Sequence, residues 1–486
     1  MQKTRNRARA DRSQSGGPIG GGDAFSWRFV TPMFIGSALN PINSSMIATA
    51  LLAIASATHV SVGSTSVLVS ALYLACAVAQ PTCGKLAEVF GPRRVFLTGI
   101  LIVLAGGLVG GMAQNLPTLI VSRVLIGIGT SAGYPSAMLL IRRRAERAGL
   151  TEPPGGVLGG LQIAATVTAA LGLPLGGVLV GAWGWRTVFF VNVPVALVAL
   201  LMAALWIPRD TRVEGTRSVR EIASRIDVTG IVGFGATVTA LLVFLFSLPH
   251  PDWVALGLAV ILAVGLVVWE LRARHPFFDV RLFTSNLALT RTYLRMALLS
   301  LCVYTVLYGI SQWLEAGRGI SSQGAGLLLL PMSGLSAIVV RPISRHNLLR
   351  GPLIAAAVSS LVASVGVLLL TTSTPMIWMV AITLIFGITL GTMAIGNQTA
   401  LYTQVKANQI GTASGLLRTF AYIGSIGSSS IISIVFHKSV TDHDLHVIAI
   451  IMIAVSALAL VMTLADRRIR TQARAVMASN PTKTQI

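Results

Sequence analysis

Charge is what this chain has least of. Asp, Glu, Lys and Arg make up 11% of its 486 residues, whereas soluble domains carry roughly 25%. A shortage that runs the whole length excludes a string of about three water-soluble domains, the usual outcome at this size. Acid is scarcer still: 16 Asp and Glu stand against 37 Lys and Arg, and no acid falls midway along an apolar run. Cysteine occurs only as Cys76, Cys83 and Cys302, odd in number and set in or beside apolar stretches, so a disulfide framework has no support. The histidines sit mostly in connectors, His437, His443 and His446 among them, with no pair at metal-binding spacing. No Gly-rich phosphate loop after a strand and no carboxylate pair set for hydrolysis is present. Enzyme chemistry is therefore not expected, and neither a metal nor a cofactor.

What is there is hydrophobic: 54% of the residues, in runs that recur from Trp27 to Ala465. A spanning helix needs about 20 apolar residues, and about fourteen such runs can be marked. They begin near Phe29, Ser64, Val95, Leu116, Val157, Thr187, Val228, Trp253, Leu287, Gly324, Pro352, Met376, Gly411 and Val447. The stretch before Trp27 is basic and then Gly-rich, and it lacks the apolar core of a secretory signal.

The net charge of +21 does not point to nucleic acid, because the basic residues lie in short connectors rather than in a stripe interleaved with aromatics. With the N-terminus inside, cytoplasmic connectors and tails hold "RRRAER" from Arg142, "RDTRVEGTRSVREIASR" from Arg209, "RARHPFFDVR" from Arg272, "RPISRHNLLR" from Arg341 and "DRRIRTQAR" from Asp466. The other side shows Arg186, Arg318 and Lys438. The positive-inside rule demands such an asymmetry, so an even number of spans with both termini cytoplasmic is expected.

One connector differs from the rest. "GKLAEVFGPRRVFLTG", Gly84 to Gly99, packs glycines, a Gly-Pro turn, Glu88, Arg93 and Arg94 between two apolar runs. Gly84 and Gly91 allow close approach or unusual dihedrals, and Pro92 fixes the turn. This stretch resembles the loop signature of the major facilitator superfamily, with Glu88 in place of the usual aspartate and Pro92 inserted before the arginines. "SRVLIGIG" resembles the family's Arg-x-x-x-Gly element through Arg123 and Gly127. "GLPLGG" resembles its antiporter signature through Gly172, Gly176 and Gly177, with the proline displaced to Pro174. "GWRTVFFVNVP", "RIDVTG", "WELRARHPFFDVRLF" and "GAGLLLLPMSG" are similar to segments of the fourteen-helix drug/proton antiporter branch.

The resemblance implies an all-α integral membrane protein of two six-helix bundles with a central accessory helix pair and alternating access to a midplane cavity. The divisions expected are a cytoplasmic basic tail (1–28), an N-terminal bundle (29–207), a linker with the accessory pair (208–272), a C-terminal bundle (287–465) and a cytoplasmic tail (466–486). Family likeness also implies that Glu88 and Arg93 latch onto the segment from Asn408 to Thr412, and that Gly172, Pro174, Gly176 and Gly177 form a helix-bending motif. Asn40, Asn43, Tyr73, Gln80, Arg123, Tyr134 and Gln162 are candidate cavity residues, although solitary polar side chains in spans also serve to satisfy neighbouring helices.

Asn40 stands where the drug/proton antiporters usually carry a first-span aspartate, and it cannot take a proton. At 1.5 Å per residue it lies roughly 18 Å above the cytoplasmic helix end, and Arg123 about 20 Å above the inner face of a ~30 Å core. A charge at that depth needs a partner or water. Two outcomes follow for Arg123: it faces the cavity unneutralised, with Arg295 and Arg418 adding to a positive field, or these arginines bond to helix carbonyls or snorkel. The function expected is secondary active transport in a bacterial inner membrane, exporting small amphiphilic compounds. The alternatives are export or facilitation of anionic metabolites without carboxylate-based proton coupling, and a non-transporting sensor or scaffold. The partners implied are a small-molecule substrate, the lipid bilayer and, where antiport holds, protons.

Overall fold

Glycines and prolines within the apolar runs do not break them up, because a backbone in a bilayer has no partner other than its own helix or a neighbouring one. The computed structural model describes residues 25–466 apart from 61–64, 66, 151, 211–225, 248–250, 275, 278–279, 282–284, 321, 346–348 and 437–439. Both expected tails thus fall largely outside the described residues, as does most of the Arg209 connector. Helix α1 runs over Trp27–Met46, tightens into a 3-10 turn at Ile47–Ala50 and continues over Leu51–Thr58. It is followed by α2 (Val67–Phe90), α3 (Pro92–Gly111), α4 (Leu116–Arg147), α5 (Gly155–Trp183) and α6 (Thr187–Trp206). Next come α7 (Val228–Ser247) and α8 (Trp253–Arg272). The last group is α9 (Leu287–Arg318), α10 (Ser322–Arg345), α11 (Arg350–Leu368), α12 (Met376–Gln404), α13 (Ile410–Val435) and α14 (Asp442–Leu464).

Among the described residues, 12 helices are long and apolar enough to cross a membrane. The helical rods α1 and α13 are the exceptions. Both carry polar side chains that pack inward: Asn43 on α1, and Ser414, Thr419, Ser425 and Ser428 on α13, are buried. Their lower hydropathy follows from their place between other helices rather than against lipid.

Hydrogen bonds across the chain sort the helix ends. Lys85 donates to the Pro276 carbonyl at 2.7 Å, Arg93 to that of Ala204 at 2.8 Å, and Asn286 to that of Gln404 at 3.0 Å. Arg291 lies 3.8 Å from Asp466. These contacts gather the Lys/Arg-rich connectors at one end, called here the basic end. At the opposite end Arg186 donates to Ala113, Trp313 to Asp442, and the His446 ring meets the Leu370 carbonyl.

Within the first group α1 packs on α5, and α4 on both α2 and α3. In the last group α9 packs on α13 and α12, and α11 on α12 and α14. The two bundles meet where α2 and the second half of α4 touch α13, and where α5 touches α10. Helices α7 and α8 pack on each other, and α7 leans on α2 and α13.

Asp227 fastens this hairpin at the basic end. Its backbone is left-handed, with φ at 58°, a conformation that Asp tolerates better than most residues. Its carboxylate accepts from Gly230 N at 3.0 Å, Trp269 Nε1 at 2.9 Å and Phe277 N at 3.0 Å. Asp227→Ala removes all three bonds and strains the turn. The expected result is faster limited proteolysis in the connector after α8, with the two bundles still resistant.

Candidate functional site

The seam between α2 and α13 is built on residues with little or no side chain. A Cβ on Gly84 would collide with the Gly411 carbonyl, one on Gly411 would lie 2.7 Å from the Gly84 carbonyl, and one on Gly415 would lie 2.6 Å from the Gln80 carbonyl. One turn further along, Thr419 Oγ1 donates to the Ala77 carbonyl at 2.8 Å. Backbones so close let side chains at the end of the seam meet directly. Glu88 Oε1 accepts from Thr412 N at 2.7 Å, and its Oε2 accepts from Thr412 Oγ1 at 3.0 Å. The carboxylate thus sits on the first turn of α13, where unpaired N–H groups and the helix dipole favour negative charge.

The arginines of the same loop point elsewhere. Arg93 reaches the end of α6 through Ala204, and the backbone N–H groups of Arg93 and Arg94 donate to Asp210 at 3.3 and 3.0 Å. Gly91 takes φ 101°, and a Cβ there would strike the Asp210 carboxylate. Asp210 is thereby the acid that caps α3, with Pro92 at its first position. Glu88 holds α13, whereas Arg93 holds the N-terminal bundle together.

About halfway along the seam, polar groups of both bundles converge. Asn40 Nδ2 donates to Cys76 Sγ at 2.9 Å and to Thr130 Oγ1 at 3.0 Å, while its Oδ1 accepts from Tyr422 Oη at 3.0 Å. Gln80 Nε2 donates to Tyr422 Oη at 3.0 Å. The other Gln80 amide atom, Oε1, is buried with no hydrogen-bond partner. Tyr73 lies 5.7 Å from Tyr422 by ring centroids, beside Tyr308 and Ser44. Tyr308 stacks on Tyr304 at 5.7 Å and belongs to a π-helical turn, Val306–Ile310, inside α9. Such a turn shifts the helix register by one residue and turns a side chain to a new direction. Tyr134 of α4 is covered by the Arg418 guanidinium at 4.3 Å.

The remaining candidates are engaged elsewhere. Arg123 is fully buried, with Nε donating to the Leu68 carbonyl at 3.0 Å and Nη1 to that of Asn43 at 3.2 Å; Nη2 has no partner. It ties α4 to α2 and α1 through carbonyls, so a guanidinium bared to a cavity is not what is observed. Arg295 is likewise buried, donating to Asn397 at 2.9 Å and Thr292 at 3.2 Å. Asn43 donates to Asn192 of α6 at 2.7 Å, and Gln162 to Thr166 of its own helix at 3.3 Å.

On α5, a Cβ at Gly172 would strike Ser45, and one at Gly176 would lie 2.6 Å from Thr49 Oγ1, whereas Gly177 meets nothing. The α1–α5 contact thus runs through Gly172 and Gly176, beside the 3-10 turn of α1. Helix α5 continues without interruption past Pro174, whose side chain lies outside the described residues.

Since bonds from a charged donor contribute roughly 1.5–3 kcal/mol each, Arg123→Ala should cost about 3 kcal/mol. The expected result is a clear fall in melting temperature in detergent, with no change in the relative handling of anionic and cationic ligands once the protein is folded. Fluorescence-detected thermal unfolding measures the first, and a ligand-binding series the second.

Among the described residues, two packed groups of helical rods with the α7–α8 hairpin beside them, a close α2–α13 seam and a central polar cluster invite comparison with known membrane proteins. The family model of the Major Facilitator Superfamily matches residues 33–429. The chain belongs to this superfamily. It is a multi-pass membrane transporter rather than an enzyme. An uncharacterised MFS-type transporter of Bacillus subtilis, YwoD, is 36% identical over 446 residues, covering 89% of this chain and 95% of that protein. The tetracenomycin C resistance and export protein of Streptomyces glaucescens is 28% identical over 436 residues, covering 86% and 77%. Among solved structures, the human organic anion transporter MFSD10 superposes with a TM-score of 0.62 at 16% identity, covering 90% of this chain and 99% of that one. At that identity the likeness is one of fold: two helical bundles facing each other across a seam.

Proposed function

We propose that this superfamily member exports small amphiphilic organic compounds, neutral or anionic, by alternating access, without a carboxylate at the centre of its cavity. The observation that carries this reading is the Asn40–Tyr422–Gln80 cluster. It joins the two bundles midway along the seam, presents the unpartnered Gln80 Oε1 as an acceptor, and is surrounded by Tyr73, Tyr304, Tyr308 and Cys76. Among the described residues every Asp and Glu lies in a connector or within one turn of a helix end. A cavity of phenols, amides and rings suits aromatic ligands that stack and hydrogen-bond, and it offers a cation no counter-charge.

The export direction is supported by the drug-resistance and export proteins among the relatives. In this reading all fourteen rods span a bacterial inner membrane, the basic end is cytoplasmic, residues 29–207 and 287–465 are the moving bundles, and 208–272 supplies the accessory pair. Glu88 with Gly84 and Gly411 closes the cytoplasmic gate, and release of the Glu88–Thr412 contact opens it. Proteoliposome flux of matched cationic, neutral and anionic dyes, with and without a pH gradient, tests the proposal. Faster flux of the neutral and anionic dyes, weakly dependent on the gradient, is expected. Preferential cation transport driven strongly by protons would overturn it.

A further inference from the structure

A narrow, solvent-open cleft lies at the basic end, where α3, α4 and the chain after α6 come together. Among the described residues its walls include Arg143, Arg144, Arg147, Arg209 and Asp210, and Arg143, Arg147 and Arg209 outnumber the one acid. That acid is already engaged, accepting from the N–H groups of Arg93 and Arg94. The nearest acid on α4, Glu146, pairs instead with Arg142 at 3.0 Å. Arg143 and Arg147 stand one helical turn apart on the same face, an arrangement of like charges that weakens a helix unless an anion lies between them. Arg144 is held in place by the Phe29 ring, 5.4 Å from its guanidinium carbon.

We infer that this cleft binds a phosphate group, and that the phosphate is the headgroup of an anionic phospholipid. Guanidinium groups match phosphate oxygens in paired hydrogen bonds, and basic pockets between transmembrane helices are suited to anionic headgroups. The surroundings select a lipid over a free ion. Beside the cleft, Trp27 and Trp206 meet edge to face at 5.1 Å, with Arg28 over the Trp27 ring at 5.5 Å. Trp27 is 63% exposed, as befits a side chain at a membrane–water interface. From the same end of α6, Leu205, Leu201, Val198 and Leu197 form an exposed apolar strip along the helix, a track for an acyl chain whose headgroup lies among the arginines. Pro92 lines the same cleft, so a bound lipid would brace the start of α3 and the loop that carries Glu88.

The test uses the full-length protein in nanodiscs of phosphatidylcholine, with or without a minor fraction of phosphatidylglycerol, followed by native mass spectrometry and thermal unfolding. Phosphatidylglycerol should be retained and should raise the unfolding temperature. Arg143→Gln/Arg147→Gln should weaken retention about tenfold, while Arg272→Gln/Arg274→Gln, the same loss of two charges at the exposed end of α8, should leave it unchanged. Conversion of both arginines to lysine should restore part of the binding, which separates recognition from folding. Inorganic phosphate and glycerol phosphate are titrated into phosphatidylcholine discs in parallel. Protection by these ions equal to that by phosphatidylglycerol would overturn the lipid assignment in favour of a free phosphate. Equal phosphatidylglycerol retention in wild type and Arg143→Gln/Arg147→Gln would overturn the site itself.

Discussion

Glu88→Ala should open the basic end and slow transport by at least about tenfold. Two hydrogen bonds to a charged carboxylate hold Thr412, each worth roughly 1.5–3 kcal/mol, and a loss of only about 1.4 kcal/mol is already a tenfold shift in population. Water regained by the exposed end offsets part of this, so tenfold is the lower expectation. Spin labels at Val89 on α2 and Asn408 before α13 would report the shift as a longer mean distance. Glu88→Asp should lie between, because the shorter acid keeps the charge but not the reach to both Thr412 donors.

Arg93→Ala separates a latch made by Glu88 alone from the Glu88–Arg93 latch that the loop resemblance implies. Arg93 binds the end of α6, within the same bundle. Its loss should leave the label distance at the wild-type value. If instead Arg93→Ala lengthens the distance as much as Glu88→Ala does, the acid alone is not the latch.

The elements that could be seen in the sequence are those written in consecutive residues. Run lengths and basic connectors were enough to place the helices and to set Arg209, Arg272 and Arg341 on the side of Arg93 and Arg94. The Gly91–Pro92 turn was visible because a positive φ followed by a fixed one leaves few other residues possible. Pairings across the seam are not written in the residues themselves, since Glu88 and Thr412 are 324 positions apart and Gln80 and Tyr422 are 342 apart; the loop resemblance alone points Glu88 to Asn408–Thr412, and nothing points Gln80 to Tyr422. A faint signal existed on α13: Gly411, Gly415, Thr419 and Tyr422 follow one another at four- and three-residue steps, which puts them on one face. Small residues on that face imply a close neighbour, and the first large polar one marks where the neighbour draws away.

Arg123 illustrates a different limit. Depth alone made it a candidate for a cavity charge, since no acid lies at its level. What the sequence could not display is that the carbonyls of Leu68 and Asn43 lie within its reach. The π-turn at Val306–Ile310 is equally silent, because the residues that form it differ in no obvious way from ordinary helix formers. Yet that turn sets the direction of Tyr308. Apart from Arg295 and Arg418, the candidate cavity residues read from the sequence lie in the N-terminal half, and the C-terminal half of the central cluster, Tyr304, Tyr308 and Tyr422, emerges only once the bundles are packed together.

On the proposed preference for neutral and anionic ligands, Asn40→Asp should shift the protein towards cations and make it respond to a proton gradient. The Asn40 amide occupies the centre of the cluster, with its Oδ1 already accepting from Tyr422 Oη. An introduced carboxylate keeps that acceptor and loses the donor that now meets Cys76 and Thr130. Thr130 can turn its hydroxyl to donate in place of accepting, so the site tolerates the exchange. Arg123 is fixed on the carbonyls of Leu68 and Asn43 and keeps its charge there, so it offsets only part of the new one. At an effective dielectric near 20, opposite unit charges about 4 Å apart attract by about 4 kcal/mol, and even a third of that changes a binding ratio about tenfold. The expected outcome is a rise of at least about tenfold in the cation-to-anion transport ratio, together with stronger stimulation by an inward proton gradient than in wild type, because an ionisable acid at this depth can load and unload a proton as the cavity faces each side in turn. Asn40→Ser, neutral and smaller, serves as the control and should show neither change. Dye flux in proteoliposomes at matched external and varied internal pH measures both. An unaltered ratio in a well-folded Asn40→Asp protein would mean that ligands do not pass beside Asn40, and the central cluster would then be a structural clasp between the bundles rather than the place where substrate binds.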